Sequence, residues 1–305
     1  MKKIASVDIG TNSVLYSLFD VTGKNRLTET HFERHSPRIG SNMTGSKKPR
    51  ITETNYQTLL KIIRRIVKHA DKNQAEAVLI GATNPFRIAQ NGTQIKKSLE
   101  WEIGVPVNIL TPKQEAEMSF LGAIGPLADN KTSMIIDLGG GSTEFVAYRG
   151  KQRTVFKSIP EGAVSLTEKF DTRLEADKKR FSEYEASLKG YNRSLAGIKR
   201  HVDGKIVLVG GTSSALAWLL DNSFHLKAKG TDISLKELTF LVNMISGLNL
   251  TCRRQLLSID KKRAEIIFAG AFWLLYLFNR LDIKKVQASP RGLRHGMALE
   301  FLEGM

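Results

Sequence analysis

The chain has 305 residues, 41% hydrophobic and 25% charged, the make-up of a folded protein rather than a disordered or collagen-like one. Lys and Arg number 46 against 30 Asp and Glu, giving a net charge of +16. The single cysteine, Cys252, excludes an intrachain disulfide and a cysteine-based zinc centre.

Both halves of the chain carry an excess of Lys and Arg, so the positive field belongs to the folded body rather than to a tail. Such a field concentrates polyanions, among which nucleic acid, an anionic membrane and polyphosphate all qualify; solubility alone is the plain alternative. The length suits two domains. The N-terminus, MKKIASVDIG, has no apolar signal core. The most apolar run, Ala264 to Phe278, contains Glu265 and falls short of the roughly 20 residues of a membrane span. It reads as a buried helix, and the protein as cytoplasmic.

Strand-like and helix-like runs alternate, which argues for an α/β fold. Residues 4–9 (IASVDI) read as a buried strand and 14–21 as its hairpin partner. Residues 33–50 are polar and basic with Gly and Pro, and read as a loop. Leu59, Ile62, Ile63, Ile66, Val67 and Ala70 recur at helical spacing. Strands follow at 77–82 and 105–110. Thr111-Pro112-Lys113-Gln114 has the form of a capping box and opens a helix to about Gly122. Gly125-Pro126 and the stretch ADNKT mark a boundary, dividing the chain into 1–125 and 126–305, with the last helix allowed to pack back on the first domain.

The second half opens as the first does. Residues 133–138 form a strand, EFVAY a second, Arg149-Gly150 a turn and RTVFKSI a third. Residues 165–201 are charged and helical. A strand at 205–211, a helix capped by Ser234 and Glu237, a strand at 285–289 and a final helix complete the chain, with five strands expected in each domain.

One internal echo stands out. Asp8-Ile9-Gly10-Thr11-Asn12-Ser13 matches Asp137-Leu138-Gly139-Gly140-Gly141-Ser142 in its Asp, Gly and Ser positions. Each follows an apolar strand and precedes another. An Asp at the end of a strand can reach a cleft, and glycine lets backbone N–H groups approach an anion. Carboxylates hold Mg²⁺ and amides hold phosphate oxygens. A third turn, Gly210-Gly211-Thr212, joins a strand to an apolar helix and makes a strand-to-helix anion site. Ordinary hairpin turns and a plain β–α connection are the bland alternatives.

These segments resemble the exopolyphosphatase / guanosine-pentaphosphate phosphohydrolase family. VDIGTNS is similar to its DIGSNS, and IDLGGGSTEFV to its IDIGGGSTELV. GATNPFRIAQN, ILTPKQEAEMSFLG, IPEGAVSLTEKF, VGGTSSALA and SPRGLRHGM each resemble a family segment, so the likeness runs from Ile4 to about Leu302. It implies two ribonuclease-H-like domains of the actin, sugar-kinase and chaperone-ATPase superfamily with an active cleft between them. It implies Mg²⁺ near Asp8, Asp137 and Glu144, a base at Glu115, and phosphate contacts from Arg87. Arg38, Asn12, Ser13, Gly139–Ser142 and Gly210–Thr212 join the expected substrate contacts. Whether a monovalent cation is also needed stays open, as does a homodimer. Five departures concern the segments beside these residues: Lys113 and Gln114 replace acids, Ser165 replaces Arg, Pro290 replaces Asp and His295 replaces Glu.

Each residue also has a plain reading. Glu115 could serve the helix dipole, Glu144 could be a solvated hairpin residue, and Arg38, Lys47, Lys48 and Arg50 could be solvated charge. The histidines show no metal-ligand spacing, and Trp101, Trp218 and Trp273 read as core. Three functions compete. The first is hydrolysis of inorganic polyphosphate or guanosine pentaphosphate. The second is a kinase or ATPase of the same superfamily, against which no sugar-binding motif appears. The third is a non-catalytic polyanion binder, which leaves the paired Asp-Gly turns unexplained; no nucleic-acid module and no membrane partner is expected.

Overall fold

The computed structural model describes residues 2–23, 26–41, 43, 46–124, 132–149, 152–173, 178–202, 204–221 and 230–304. It divides into two compact units: residues 1–126 with 291–305, and residues 127–290. The last helix is part of the first unit, so its residues do not continue the second. The expected boundary segment, Gly125 to Lys131, and Gly150 of the Arg149-Gly150 turn lie outside the described residues.

In the first unit, β1 (Lys3–Ile9), β2 (Val14–Gly23), β3 (Arg26–His35), β4 (Ala77–Ala82) and β5 (Val107–Ile109) form one sheet in the order β3-β2-β1-β4-β5. The first three strands run as an antiparallel meander, and β4 and β5 continue parallel to β1. This is the ribonuclease-H-like arrangement. β1 is buried on both faces, which is why it reads as an apolar run. One face is covered by α1 (Glu53–Lys72), capped by Thr52, and by α3 (Gly92–Ile103); Val7, Ile9, Leu59, Ile63 and Leu99 share that core. The other face carries Ile4 and Phe19 against Ala298 of α12 (Leu293–Glu303). The short α2 (Asn84–Ile88) and α4 (Pro112–Ala123) follow β4 and β5.

β3 overturns part of the loop expected over 33–50, since it runs to His35. Its sequence, RLTETHFERH, offers no apolar face; polar partners hold it instead. His31 and His35 each place Nε2 within hydrogen-bonding distance of a Glu33 oxygen, at 2.9 and 2.8 Å, and Arg65 of α1 donates to Glu33 at 2.5 Å. His31 stacks on His69 at 4.4 Å. Three of the six histidines, His31, His35 and His69, thus gather at this strand. Burial alone would raise the Glu33 carboxyl, but the bonds from His31, His35 and Arg65 outweigh it and hold the group down to about 2. Burial, then the neighbouring His31, push the His69 imidazole below its usual 6.5.

Both shifts have one sign. A depressed histidine loses stability as pH falls below its unfolded value of 6.5. A depressed carboxyl contributes stability above 4.5 that disappears as pH falls through about 2. Thermal melting should show the first unit weakening below pH 6.5 and again below 4.5. Glu33→Gln should flatten the lower limb; an unchanged lower limb would remove Glu33 as its source.

In the second unit, β6 (Thr132–Leu138), β7 (Thr143–Arg149), β8 (Gln152–Ile159), β9 (Lys205–Val209), β10 (Thr231–Ser234) and β11 (Lys285–Ala288) form a sheet ordered β10-β11-β9-β6-β7-β8. The five positions of the first sheet recur as β8-β7-β6-β9-β11, and β10 adds a sixth strand to the expected five. The helices are α5 (Ala163–Phe170), α6 (Lys178–Leu188), α7 (Asn192–Lys199), α8 (Gly211–Asp221), α9 (Leu235–Ser246), α10 (Leu250–Leu256) and α11 (Ile267–Leu281). The capping boxes at Thr111–Gln114 and Ser234–Glu237 form as expected. The apolar run does make a core helix, but α11 starts only at Ile267 after a 3₁₀ segment, Ser258–Glu265. Trp273 is fully buried and donates its indole N–H to Thr143 Oγ1 at 2.9 Å. Trp101 is 88% exposed, against the core role expected for it. Among the described residues no helix is long and apolar enough to cross a membrane.

Candidate active site

The two Asp-Gly turns are built alike. In the first, Asp8 pairs with Leu15 and Ile9 with Val14, and Gly10 donates its N–H to Ser13 O at 2.9 Å. In the second, Asp137 pairs with Glu144 and Leu138 with Thr143, and Gly139 donates to Ser142 O at 3.0 Å. Register and closing bond repeat residue for residue. Each Asp lies at the carboxyl end of a strand flanked by a parallel neighbour, the edge at which open α/β sheets bind ligands.

The side chains opposite each Asp differ. Across from Asp137 stands Glu144, and across from Glu144 stands Ser158 of β8, all on one sheet face. Glu144 is buried, and its Oε1 accepts from Ser158 Oγ at 2.8 Å. The solvated-hairpin reading of Glu144 is therefore excluded. Across from Asp8 stands Leu15, then Arg34 of β3.

The glycines of the second turn are fixed from behind. Ala163 N–H donates to Gly139 O at 3.0 Å, and Val164 and Ser165 donate to Gly140 O at 2.7 and 3.1 Å. In a trans peptide the N–H lies opposite the carbonyl. With both carbonyls committed to α5, the Gly140 and Gly141 amides therefore point away from it. Gly210 brings the third turn alongside. Its φ is +100°, and a Cβ there would lie 2.4 Å from Leu138 O and 3.4 Å from Asp137 Oδ1. Thr212 is turned inward, with its side chain packed against Gly270 of α11.

In the first unit the loop after β3 closes on the first turn. Arg38 N–H donates to Asn12 O at 3.2 Å and Gly40 N–H to Thr11 O at 3.0 Å. Arg38 itself adopts φ +56°, a conformation that non-glycine residues reach only when their surroundings hold them there. Asn12 Nδ2 donates to Ser13 Oγ at 3.1 Å. Arg87 and Glu115 meet directly: Nη1 of Arg87 lies 2.6 Å from Glu115 Oε2 and 2.8 Å from Leu110 O, and both side chains are largely buried. Among the described residues Arg87 Nε and Nη2 make no hydrogen bond, so a fork of donors remains for an anion.

Two residues escaped the sequence reading. Arg263 is buried, donates Nε to Asp260 Oδ2 at 3.1 Å, and lays its guanidinium where a Cβ on Gly211 would sit, at the start of α8. In the basic stretch DKKRAE nothing distinguishes it from a solvated charge. Glu161, also buried, accepts from Tyr191 at 2.7 Å, Lys169 at 3.0 Å and Ser165 at 3.1 Å, while its carbonyl takes Thr143 Oγ at 2.6 Å. Ser165, which replaces the family's Arg, thus steadies the loop that leads into α5.

Among the described residues no three His, Cys, Asp or Glu gather as a metal cage. The Asp137–Glu144 pair with Ser158 is an all-oxygen set, and Mg²⁺ needs only one or two carboxylates when substrate phosphates and water complete its shell. The donor chemistry fits that ion.

Residues 7–304 match the Ppx/GppA phosphatase family. The chain is similar to a Ppx/GppA enzyme of Aquifex aeolicus, with 25% identity, a TM-score of 0.80, and 98% of this chain and 99% of that one covered. It shares its fold with an exopolyphosphatase of Cytophaga hutchinsonii, at 18% identity and a TM-score of 0.89, covering 100% and 99% of the two chains. A match over nearly the full length, joined to two Asp-Gly turns of one register, makes this chain a member of the Ppx/GppA phosphatase family.

Proposed function

We propose that the protein is a Mg²⁺-dependent exopolyphosphatase, hydrolysing the terminal phosphoanhydride of inorganic polyphosphate and releasing orthophosphate. The observation that carries this reading is the duplicated Asp-Gly turn, with the amides of Gly140 and Gly141 in the second copy turned away from α5. Guanosine pentaphosphate is the alternative substrate, since it presents the same terminal anhydride. The net charge of +16 favours the longer polyanion.

In this reading Glu115 takes the proton of the attacking water. Arg87 orients that carboxylate through Nη1 and offers Nε and Nη2 to a phosphate. Gly140, Gly141, Ser142 and the Gly210–Gly211 turn receive phosphate oxygens, with Arg263 adding charge beside Gly211. Asp137 and Glu144 would hold Mg²⁺, which would supply positive charge toward the phosphate chain; Asp8, Asn12, Ser13 and Arg38 line the matching turn. Leaving phosphate is a good leaving group, so positioning and charge neutralisation dominate the catalysis.

Phosphate release from long polyphosphate, tripolyphosphate, guanosine pentaphosphate and ATP, with and without Mg²⁺, tests the reading. Long polyphosphate should be used best and only with the metal. Release from ATP alone would favour an ATPase, and release from none a binding protein. Polyphosphate affinity should also fall steeply between low and physiological salt, because Lys and Arg contacts to phosphates release counterions. A flat salt dependence would remove the field from the explanation. Arg87→Ala should weaken substrate use markedly and Arg87→Lys restore only part, since an ammonium lacks the planar fork that meets a phosphate through two parallel bonds. Full activity in Arg87→Ala would take that residue out of the site.

A further inference from the structure

Thr143 stands between Ser142, the last residue of the second turn, and Glu144. Its side chain points to the opposite face of the sheet from Glu144, and it is fully buried there. The hydroxyl donates to the Glu161 carbonyl at 2.6 Å and accepts the indole N–H of Trp273 at 2.9 Å. A hydroxyl has a single hydrogen, so the indole, by occupying a lone pair, leaves that hydrogen directed at Glu161. Valine has the same shape and suits a buried strand equally well. The two bonds are what distinguish threonine at this position, since a buried hydroxyl without them is costly.

The far end of the first bond belongs to a bracket around the turn. Glu161 N–H donates to Ile159 O at 2.8 Å, and Gly162 N–H to Ser165 Oγ at 2.7 Å. The next three amides, of Ala163, Val164 and Ser165, hold the carbonyls of Gly139 and Gly140. Gly162 lies so close that a Cβ on it would be 2.6 Å from Gly139 O and 2.6 Å from the carbonyl carbon of Gly140. The Glu161 carboxylate is anchored by Tyr191 and Lys169, and the Tyr191 ring stands edge-on to Trp273 at 5.8 Å. Residues 161–165 thus grip the turn at both ends: at Gly139 and Gly140 through backbone amides, and just past Ser142 through the Thr143 hydroxyl.

We propose that Thr143 is a positioning residue: its hydroxyl, aimed by Trp273, ties the end of the second turn to residues 161–165 and so sets the direction of the Gly140 and Gly141 amides that receive phosphate. The proposal rests on the phosphoanhydride reading above. Thr143 touches no substrate and acts only through the turn. Without the hydroxyl, the Glu161 carbonyl and the Trp273 N–H lose this partner, and the bracket holds the turn at one end alone. Donors that must meet a phosphate at fixed angles are sensitive to such slack.

The test compares the wild type with Thr143→Val, Thr143→Ser and Leu238→Ala, the last a core change in α9 that lowers stability by leaving a cavity. Two quantities are read where each variant is folded: amide hydrogen exchange of the free protein, and calorimetric binding of tripolyphosphate without Mg²⁺. In Thr143→Val the amides of Ala163, Val164 and Ser165 should exchange about tenfold faster relative to those of β9, whereas Leu238→Ala should leave that ratio unchanged. Tripolyphosphate should bind Thr143→Val about tenfold more weakly, the worth of one hydrogen bond to a charged group. Affinity should return in Thr143→Ser and stay intact in Leu238→Ala. An unchanged exchange ratio in Thr143→Val overturns the proposal, whatever the protein binds. So does a Kd within about twofold of wild type, a Thr143→Ser no better than Thr143→Val, or an equal loss in Leu238→Ala, which would mark general loosening. A wild type that binds no tripolyphosphate sinks the phosphoanhydride reading and the proposal with it; the exchange ratio, read without ligand, tells the two failures apart. Should Thr143→Val not fold, Trp273→Phe removes only the indole N–H that aims the hydroxyl, and an unchanged ratio there overturns the proposal equally.

Discussion

Glu115→Gln should still bind tripolyphosphate while losing about 10²–10⁴-fold in phosphate release, the usual share of a general base. The amide keeps the shape of the carboxylate and an oxygen for Arg87 Nη1, so the packing of α2 against α4 should survive. What disappears is basicity. The mount is rigid: Thr111 accepts from Gln114 N–H at 3.2 Å, Gln114 Oε1 accepts from Thr111 N–H at 3.0 Å, and Glu115 N–H bonds Thr111 O at 3.0 Å. Turnover within about threefold of wild type would leave Glu115 a structural partner of Arg87 and send the search for the base to Glu144.

Gly210→Ala should be as damaging for a different reason. The residue sits at φ +100°, where a side chain alone costs about 1–3 kcal/mol. The added carbon would also lie 2.4 Å from Leu138 O, so the turn must move, and with it the backbone carrying Asp137. Displacement of a catalytic group by about 1 Å can cost on the order of 10²-fold in rate. Lower melting temperature together with a collapse of phosphate release is the expected pair of results. Gly197→Ala is the control: it lies within α7 with open space around it, and alanine there should stabilise the helix by up to about 1 kcal/mol. Unchanged turnover in Gly210→Ala would show that the third turn does not set the position of Asp137.

Much of this was legible in the sequence because local and global signals agreed. β1, β6 and β9 are apolar runs followed by glycine, and both capping boxes announce the helices they open. The echo between residues 8–13 and 137–142 foretold a shared hairpin register, and the register repeats. What escaped was tertiary. β3 lacks an apolar face and exists through its pairing with β2 and its contacts to Arg65. β10 is four residues long and gains its identity from β11. Arg263 looks like any surface cation until Gly211 is seen beneath it. The Arg87–Glu115 contact joins residues assigned separate roles, and no periodicity could have shown that the two share a bond.

The bond from Arg294 to Ser17 spans 277 positions of the chain. On a ribosome the second unit, 127–290, is complete before residues 291–305 have been made, whereas the first must wait for them. Until then the sheet face bearing Ile4 and Phe19 lacks its covering helix and offers an apolar surface to chaperones or to other nascent chains. Maturation should thus run against the order of synthesis. A message cut short before codon 291 should yield a sound second unit tethered to a first one that aggregates.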